Sequence, residues 1–389
     1  MTDVAIASTA LKDGAAGEEL AARVRSELHG AAPDALIVFA SSQNDYKSLL
    51  TALKAGSGAR TLVGCSSAGE FTGETAGTGL TTVIALRASD MRFNATIAKG
   101  MSQDREKAAA HLARNFEGME STDFRYRTAL ILVDALAGHA EDLVDRLTVA
   151  TGGMYRFFGG GAGDDAKFER THVFMNAEMH SDAAVVLEVL SNKPIGIGAR
   201  HGWTPASGPM RVTETDQASV LSLNVVPAVE AFEDHAAATN QSFDRNNPLP
   251  FFLHNIVGVQ TDEGHKLRVP LGVGANGGIA CAAEVPTGAT AHIMSIKPAD
   301  AADAAASATR DAMEQVERSG HTPKAALFFD CVATRLRLGQ DFNNELDAVS
   351  AELKGAQFAG FNSYGQIVRS EGQFSGFHNC TAVVCVFPD

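Results

Sequence analysis

At 389 residues the chain is longer than a single hydrophobic core usually grows, so two domains are expected. A hydrophobic share of 45% against a charged share of 20% is that of an ordinary globular protein and excludes a disordered or fibrous chain. The excess of 46 acidic over 32 basic side chains, a formal charge of −14, repels phosphate backbones and anionic lipid surfaces and so sets nucleic acid aside as a ligand.

Met1 to Gly14 lacks a basic start followed by an apolar run, and no window reaches the roughly 18 apolar residues that a membrane span requires. The expectation is a cytoplasmic protein with no membrane insertion. Five cysteines (Cys65, Cys281, Cys331, Cys380 and Cys385) form no CxxC or CxxCH, which excludes a zinc ribbon and covalent c-type haem by spacing. They fit reduced, mostly buried thiols.

In chain order, the first dozen residues read as a loose lead-in and Glu18 to Leu28 as a helix. Leu36-Ile37-Val38-Phe39-Ala40 is a wholly apolar run bounded by Pro33 and Ser41-Ser42, the pattern of a strand buried on both faces. Leu49, Leu50 and Leu53 then recur at helical spacing, and Thr61-Leu62-Val63 leads into Gly64-Cys65-Ser66-Ser67-Ala68-Gly69-Glu70. The same order of apolar strand, helix and glycine turn returns twice. Ala129 to Asp134 and a helix from Glu141 to Val149 precede Phe157-Phe158-Gly159-Gly160-Gly161-Ala162-Gly163-Asp164-Asp165. Ala326 to Cys331 and a helix from Glu345 to Leu353 precede Phe358-Ala359-Gly360-Phe361-Asn362-Ser363-Tyr364-Gly365. From Leu36 to Gly64, Leu130 to Gly159 and Leu327 to Gly360 the offset is about 30 residues each time, which argues for a reused β-α-β module. Leu80 to Leu86, Ala183 to Leu190 and Ile279 to Glu284 read as antiparallel additions to the sheets. A break near Asn224 to Pro227 divides the chain into 30–225 and 226–389. The fold class is therefore α/β, two domains of mixed β-sheets flanked by helices, built from repeated β-α-β modules with antiparallel additions.

These residues resemble the FIST family, in which a FIST N and a FIST C domain are paired in bacterial signal transduction. The matching blocks are Phe39-Ala40-Ser41, Gly64 to Glu70 and Gly159 to Asp164 in the first half. The second half supplies Gly202-Trp203-Thr204-Pro205, Arg268-Val269-Pro270-Leu271-Gly272, Phe358 to Phe361 and Tyr364-Gly365. The resemblance spans roughly residues 30 to 385. It implies a sensor without turnover that binds a small-molecule ligand and regulates a histidine kinase or cyclic-di-GMP enzyme, and it admits a homodimer.

Glycine lets main-chain N–H groups approach a ligand closely, so Gly64 to Gly69 and Gly159 to Gly163 are candidate oxyanion nests, with Ser66, Ser67 and Asp164 at hand. The alternative is tight turns between strands. A dinucleotide site is excluded, because a strand and not a helix follows Gly163, and there is no Walker A pattern. Cys65 or Ser66 as a hydrolase nucleophile lacks a GxSxG frame and an assigned base. Asp134 and Asp330 each end an apolar strand and, with Arg268, Arg335 and Arg337, suit an amino-acid-like zwitterion, or else merely cap loops. The expected ligand-binding set is Cys65, Ser66, Ser67, Gly69, Asp134, Gly160, Gly161, Asp164, Arg268, Asp330 and Tyr364. Some FIST proteins are haem-binding nitric-oxide sensors, and that resemblance nominates haem b with His254, His201 or His378 as axial ligand. A colourless amino-acid or metabolite sensor is the alternative.

Overall fold

The computed structural model describes residues 2–370 and 375–389. Each of the three modules forms as its pattern predicts. Ala35–Ser41 runs parallel to Thr61–Ser67, Tyr126–Val133 to Arg156–Gly161, and Pro323–Cys331 to Gln357–Ser363. Helices Tyr46–Ser57, Ala140–Ala150 and Asn343–Glu352 lie between the paired strands in the chain. Among the described residues each module grows into a six-stranded sheet of one shared topology. Next to the first strand lies an antiparallel strand, Thr81–Ala88, Ala183–Ser191 or Ala382–Pro388, and beyond it an outermost one, Thr2–Thr9, Met91–Lys99 or Gly196–Arg200.

Two expectations are corrected here. Residues 2–9 are no loose lead-in but an eight-residue strand, because their alternating apolar side chains find Thr81–Ala88 as a partner. Ile279–Cys281 belongs to a different sheet altogether, and the third module takes its antiparallel strand from Ala382–Pro388 at the end of the chain.

The other flank of each module is built by exchange. On leaving the first bend the chain forms Glu70–Thr72, which pairs with the third module's Gln357–Ser363. After the second bend Val173–Met175 pairs with the first module's Thr61–Ser67, and after the third Gln366–Arg369 pairs with the second module's Arg156–Gly161. The three bends are thereby handed from sheet to sheet in a closed cycle. The segments 30–225 and 226–389 exchange strands, each completing a sheet of the other.

Alternation along the buried strands sends one set of side chains inward and the other outward. Ile37, Phe39, Leu130, Leu132, Phe158, Leu327, Phe329 and Phe361 meet in a common core, with Phe39 stacked on Phe361 at 4.4 Å between ring centroids. The outward sets are covered by helices Asp13–Glu27 and Tyr46–Ser57, by Arg105–Arg114 and Ala140–Ala150, and by Pro298–Glu317 and Asn343–Glu352.

A fourth, wholly antiparallel sheet, drawn from Thr204–Pro227 and Ile256–Ser295, has one core of its own with Phe232, Phe251 and Phe252. Its other contacts, through Trp203, Leu267, Val269 and Met294, reach Cys331 and Cys380 of the third module.

Candidate functional site

Parallel strands bring their carboxyl ends to one side, and the cyclic exchange brings those of three sheets to one place. Gly163 N–H donates to the Ser66 carbonyl (2.9 Å) and Asp165 N–H to that of Ser67 (3.0 Å). Ala68 N–H donates to the Asn362 carbonyl (3.0 Å), Gly161 N–H to that of Gly365 (2.8 Å) and Tyr364 N–H to that of Gly161 (3.0 Å). The three bends thus touch. Their amides, however, face protein carbonyls, so the turn reading accounts for them and leaves no open oxyanion nest at these groups.

The recurring glycines have a packing reason. Gly64, Gly159 and Gly360 lie directly opposite Val38, Ile131 and Phe328 on the neighbouring strand. A Cβ at any of the three would stand 1.9–2.0 Å from that residue's carbonyl oxygen, a distance no side chain tolerates.

The charged residues of the expected site are likewise committed within the fold. Asp134 accepts from Leu136 N–H (3.1 Å), Asp182 N–H (2.6 Å) and the Thr171 hydroxyl. Asp164 accepts from the N–H groups of Phe168, Glu169 and Arg170 (2.7–2.9 Å) and from the Tyr364 hydroxyl. Arg268, fully buried, donates to the carbonyls of Glu284 (2.8 Å), Leu267 and Phe377 (3.0 Å each) and to the Glu141 carboxylate. Asp330 and Asp134 do not stand in equivalent places. In the module register Asp330 matches Val133 and faces outward beneath the helix Asn343–Glu352, while Asp134 matches Cys331. Asp330 meets the buried carboxyl of Glu345 there, and burial pushes both above the usual carboxylate range. Asp134 and Arg268 are therefore taken up by the fold, Asp330 lines a separate small pocket with Arg337 and Glu345, and Arg335 stands beside Gly69, so the five do not form one zwitterion reader.

Cys65 and Ser66 are wholly buried. Burial raises the Cys65 thiol far above its ordinary range, and Ser66 exchanges hydrogen bonds with the main chain of His172. Neither presents a nucleophile to solvent, which removes the physical basis of the hydrolase alternative.

What the meeting of the bends does create is a cleft. It is small, with a cavity volume of about 80 Å3. One wall carries Ala135 and Leu136 from the end of the strand Tyr126–Val133 with Phe168 and Tyr364 from the second and third bends, the other Leu249, Leu253, Val269 and Leu271 from the fourth sheet and its approaches. Cys331, Val332, Ala333 and Leu336 also line it, and Asn379 is its carboxamide. Tyr364 lies flat on Phe168, with 4.5 Å between ring centroids. Leu136, Phe168, Leu271 and Leu336 are each 41–43% exposed around it, an apolar rim on an acidic protein. Of the expected set only Tyr364 lines this cleft. Sequence inspection passed over the rest because isolated Leu, Val and Ala side chains carry no motif, although Val269 and Leu271 fall within one block of the family resemblance.

None of the three nominated imidazoles lines the cleft. His254 is exposed, adjacent to the lining residue Leu253. His201 is half-buried with Nε2 3.0 Å from the His265 carbonyl. His378 is fully buried, its pKa driven well down by burial and by nearby Lys266, Arg268 and His201. The residues as placed do not offer a porphyrin an imidazole within the cleft. Among the described residues no group of three His, Cys, Asp or Glu side chains could hold a metal ion.

Three sheets, their helices and an apolar cleft at the strand ends define an α/β protein with a candidate small-ligand site. Comparison with family models is specific: the FIST N domain matches residues 34–225 and the FIST C domain residues 228–369. The chain belongs to the FIST family, whose domains are sensory domains that bind small ligands in signalling proteins. No curated protein matches the sequence. Solved structures with some similarity include Thermotoga maritima PurL complexed with FGAR, at 12% identity and a TM-score of 0.24, covering 100% of this chain and 72% of that one. PurLQS from the same organism gives 13%, 0.24, 100% and 72%. No helix is long and apolar enough to cross a membrane among the described residues.

Proposed function

We propose that this protein is a sensor whose ligand is a small, largely apolar molecule seated in the cleft between the meeting bends and the fourth sheet. The observation that carries this is the double origin of the walls: Ala135, Leu136 and Phe168 come from the FIST N segment, Val269, Leu336 and Tyr364 from FIST C. A guest touching both segments favours whichever arrangement of them holds it best, and a signalling partner, a histidine kinase or a cyclic-di-GMP enzyme, reads that shift. The carboxamide of Asn379 gives the guest one polar anchor.

The test is a panel of small apolar and amphipathic compounds screened by thermal unfolding. A compound that binds the folded state at a hundred times its Kd adds about 2.7 kcal/mol and raises Tm by a few degrees. Ala333→Trp fills the cleft and should abolish the shift while leaving the protein folded. A hit whose shift survives Ala333→Trp places the ligand elsewhere and overturns the proposal.

Haem with nitric oxide remains the second reading, favoured by His254 standing next to the lining residue Leu253. It requires a Soret band on reconstitution with haem that His254→Ala removes; a colourless product under those conditions eliminates it.

A further inference from the structure

All five cysteines are buried in hydrophobic clusters, and Cys331 and Cys380 share one. Cys331 ends the strand Pro323–Cys331 and lines the cleft; Cys380 precedes the antiparallel strand Ala382–Pro388 beside it. Both are buried, 2% and 5% exposed, in one cluster with Trp203, Leu267 and Met294. The antiparallel register of their strands, with Phe329 opposite Val383, brings Cys331 and Cys380 together at the same end of the pair. Cys380 is held in the left-handed region, φ 48°, by anchored neighbours: Asn379 Oδ1 accepts from Val269 N–H (3.2 Å), and Thr381 N–H donates to Gln366 (3.2 Å).

We propose that Cys331 and Cys380 are a redox dithiol, oxidised to a disulfide in the cleft wall by hydrogen peroxide that enters through the cleft. In the first step the Cys331 sulfur attacks the O–O bond, giving Cys331 sulfenic acid and one water. In the second the Cys380 sulfur attacks the sulfenic sulfur, forming the S–S bond and releasing a second water that carries off its thiol proton. Two electrons leave the sulfurs and reduce one peroxide.

The division of labour follows from position: Cys331 lines the cleft through which peroxide arrives, and Cys380 lies behind it. The direction of the Cys331 shift, below the ordinary thiol range, agrees with this. Burial raises Cys65, Cys385 and, to about 12, Cys281, and these serve as internal controls. The disulfide does not depend on the cleft having any other guest.

Peroxide treatment of the full chain, followed by intact mass measurement and peptide mapping, tests this directly. Expected are the loss of two hydrogens, a single peptide pair joining Cys331 to Cys380, and reversal by dithiothreitol. In Cys380→Ser the sulfenic acid on Cys331 is trapped by dimedone, whereas Cys331→Ser takes up no dimedone at Cys380; near-ultraviolet dichroism verifies that each variant is folded. Both thiols remaining alkylatable after peroxide, linkage through another cysteine, or dimedone on Cys380 in Cys331→Ser would each overturn the proposal.

Discussion

The first and third bends are one local structure made with two chemistries. Ser67-Ala68-Gly69-Glu70 and Ser363-Tyr364-Gly365-Gln366 occupy matching places, and Gly69 and Gly365 share nearly the same φ, 140° and 137°. In the first, Glu70 accepts from the Ser67 hydroxyl and from Leu80 N–H (2.9 Å), just before the antiparallel strand Thr81–Ala88. In the third, Gln366 donates to the Ser363 hydroxyl (2.8 Å) and accepts from Thr381 N–H (3.2 Å), just before Ala382–Pro388. The two clasps join equivalent groups with the serine bond reversed: Glu70 accepts from Ser67, whereas Gln366 donates to Ser363. Burial above all pushes Glu70 up to about 8. The remaining difference, Ala68 against Tyr364, decides which bend carries a ring into the cleft.

That comparison can be broken most forcefully at the carboxyl. Because folding raises the pKa of Glu70 from about 4.5 to about 8, the native state holds the proton more tightly than the unfolded one. Its contribution is complete below about 4.5 and is lost as pH rises towards 8, at about 1.4 kcal/mol per pH unit, on the order of 5 kcal/mol across the window. Glu70→Gln should flatten this slope and be the more stable protein at pH 9, while Gln366→Glu should introduce a second slope of the same sign. Urea unfolding from pH 4 to 9 reads both; a Glu70→Gln protein that loses stability in parallel with wild type would show that the two clasps are not equivalent.

A smaller effect probes whether the three modules share one constraint. Gly64→Ala, Gly159→Ala and Gly360→Ala should each cost about 3 kcal/mol, since each added Cβ strikes a backbone carbonyl that cannot move without breaking the parallel pair. Gly30→Ala, with nothing within 4 Å of its Cβ, meets only the backbone cost of φ 83° and should lose about 1 kcal/mol. Equal losses in all four would contradict the close-approach argument.

The smallest effect distinguishes the bends at the cleft. Tyr364→Phe removes the hydroxyl bond to Asp164 yet keeps the ring on Phe168, so a loss of about 1.5 kcal/mol with unchanged ligand response is expected. A lost ligand response with intact stability would mean that the hydroxyl itself touches the guest.

The repeated module was legible because a strand buried on both faces leaves an uninterrupted apolar run, and Leu36 to Ala40 and Ala326 to Phe329 are such runs. The bends were legible for a related reason, since only glycine fits opposite a carbonyl at Gly64, Gly159 and Gly360. What the glycines were for was not legible, because amides open to a ligand and amides closed on a neighbouring bend need the same residue. Likewise Asp134, Asp164 and Arg268 announce charge in the sequence, but only their partners reveal that each is held by loops and carbonyls.

By itself, then, the sequence determined three copies of one α/β unit and membership of the FIST family, since both rest on local patterns of burial and backbone approach. Only the tertiary structure decided that the copies exchange strands in a ring, that their bends close on one another, and that the cleft beside them is lined by Val269, Ala333 and Tyr364 rather than by the charged residues. Strand pairing across more than a hundred residues is set by which edges meet once the common core has formed, and no local pattern encodes that meeting.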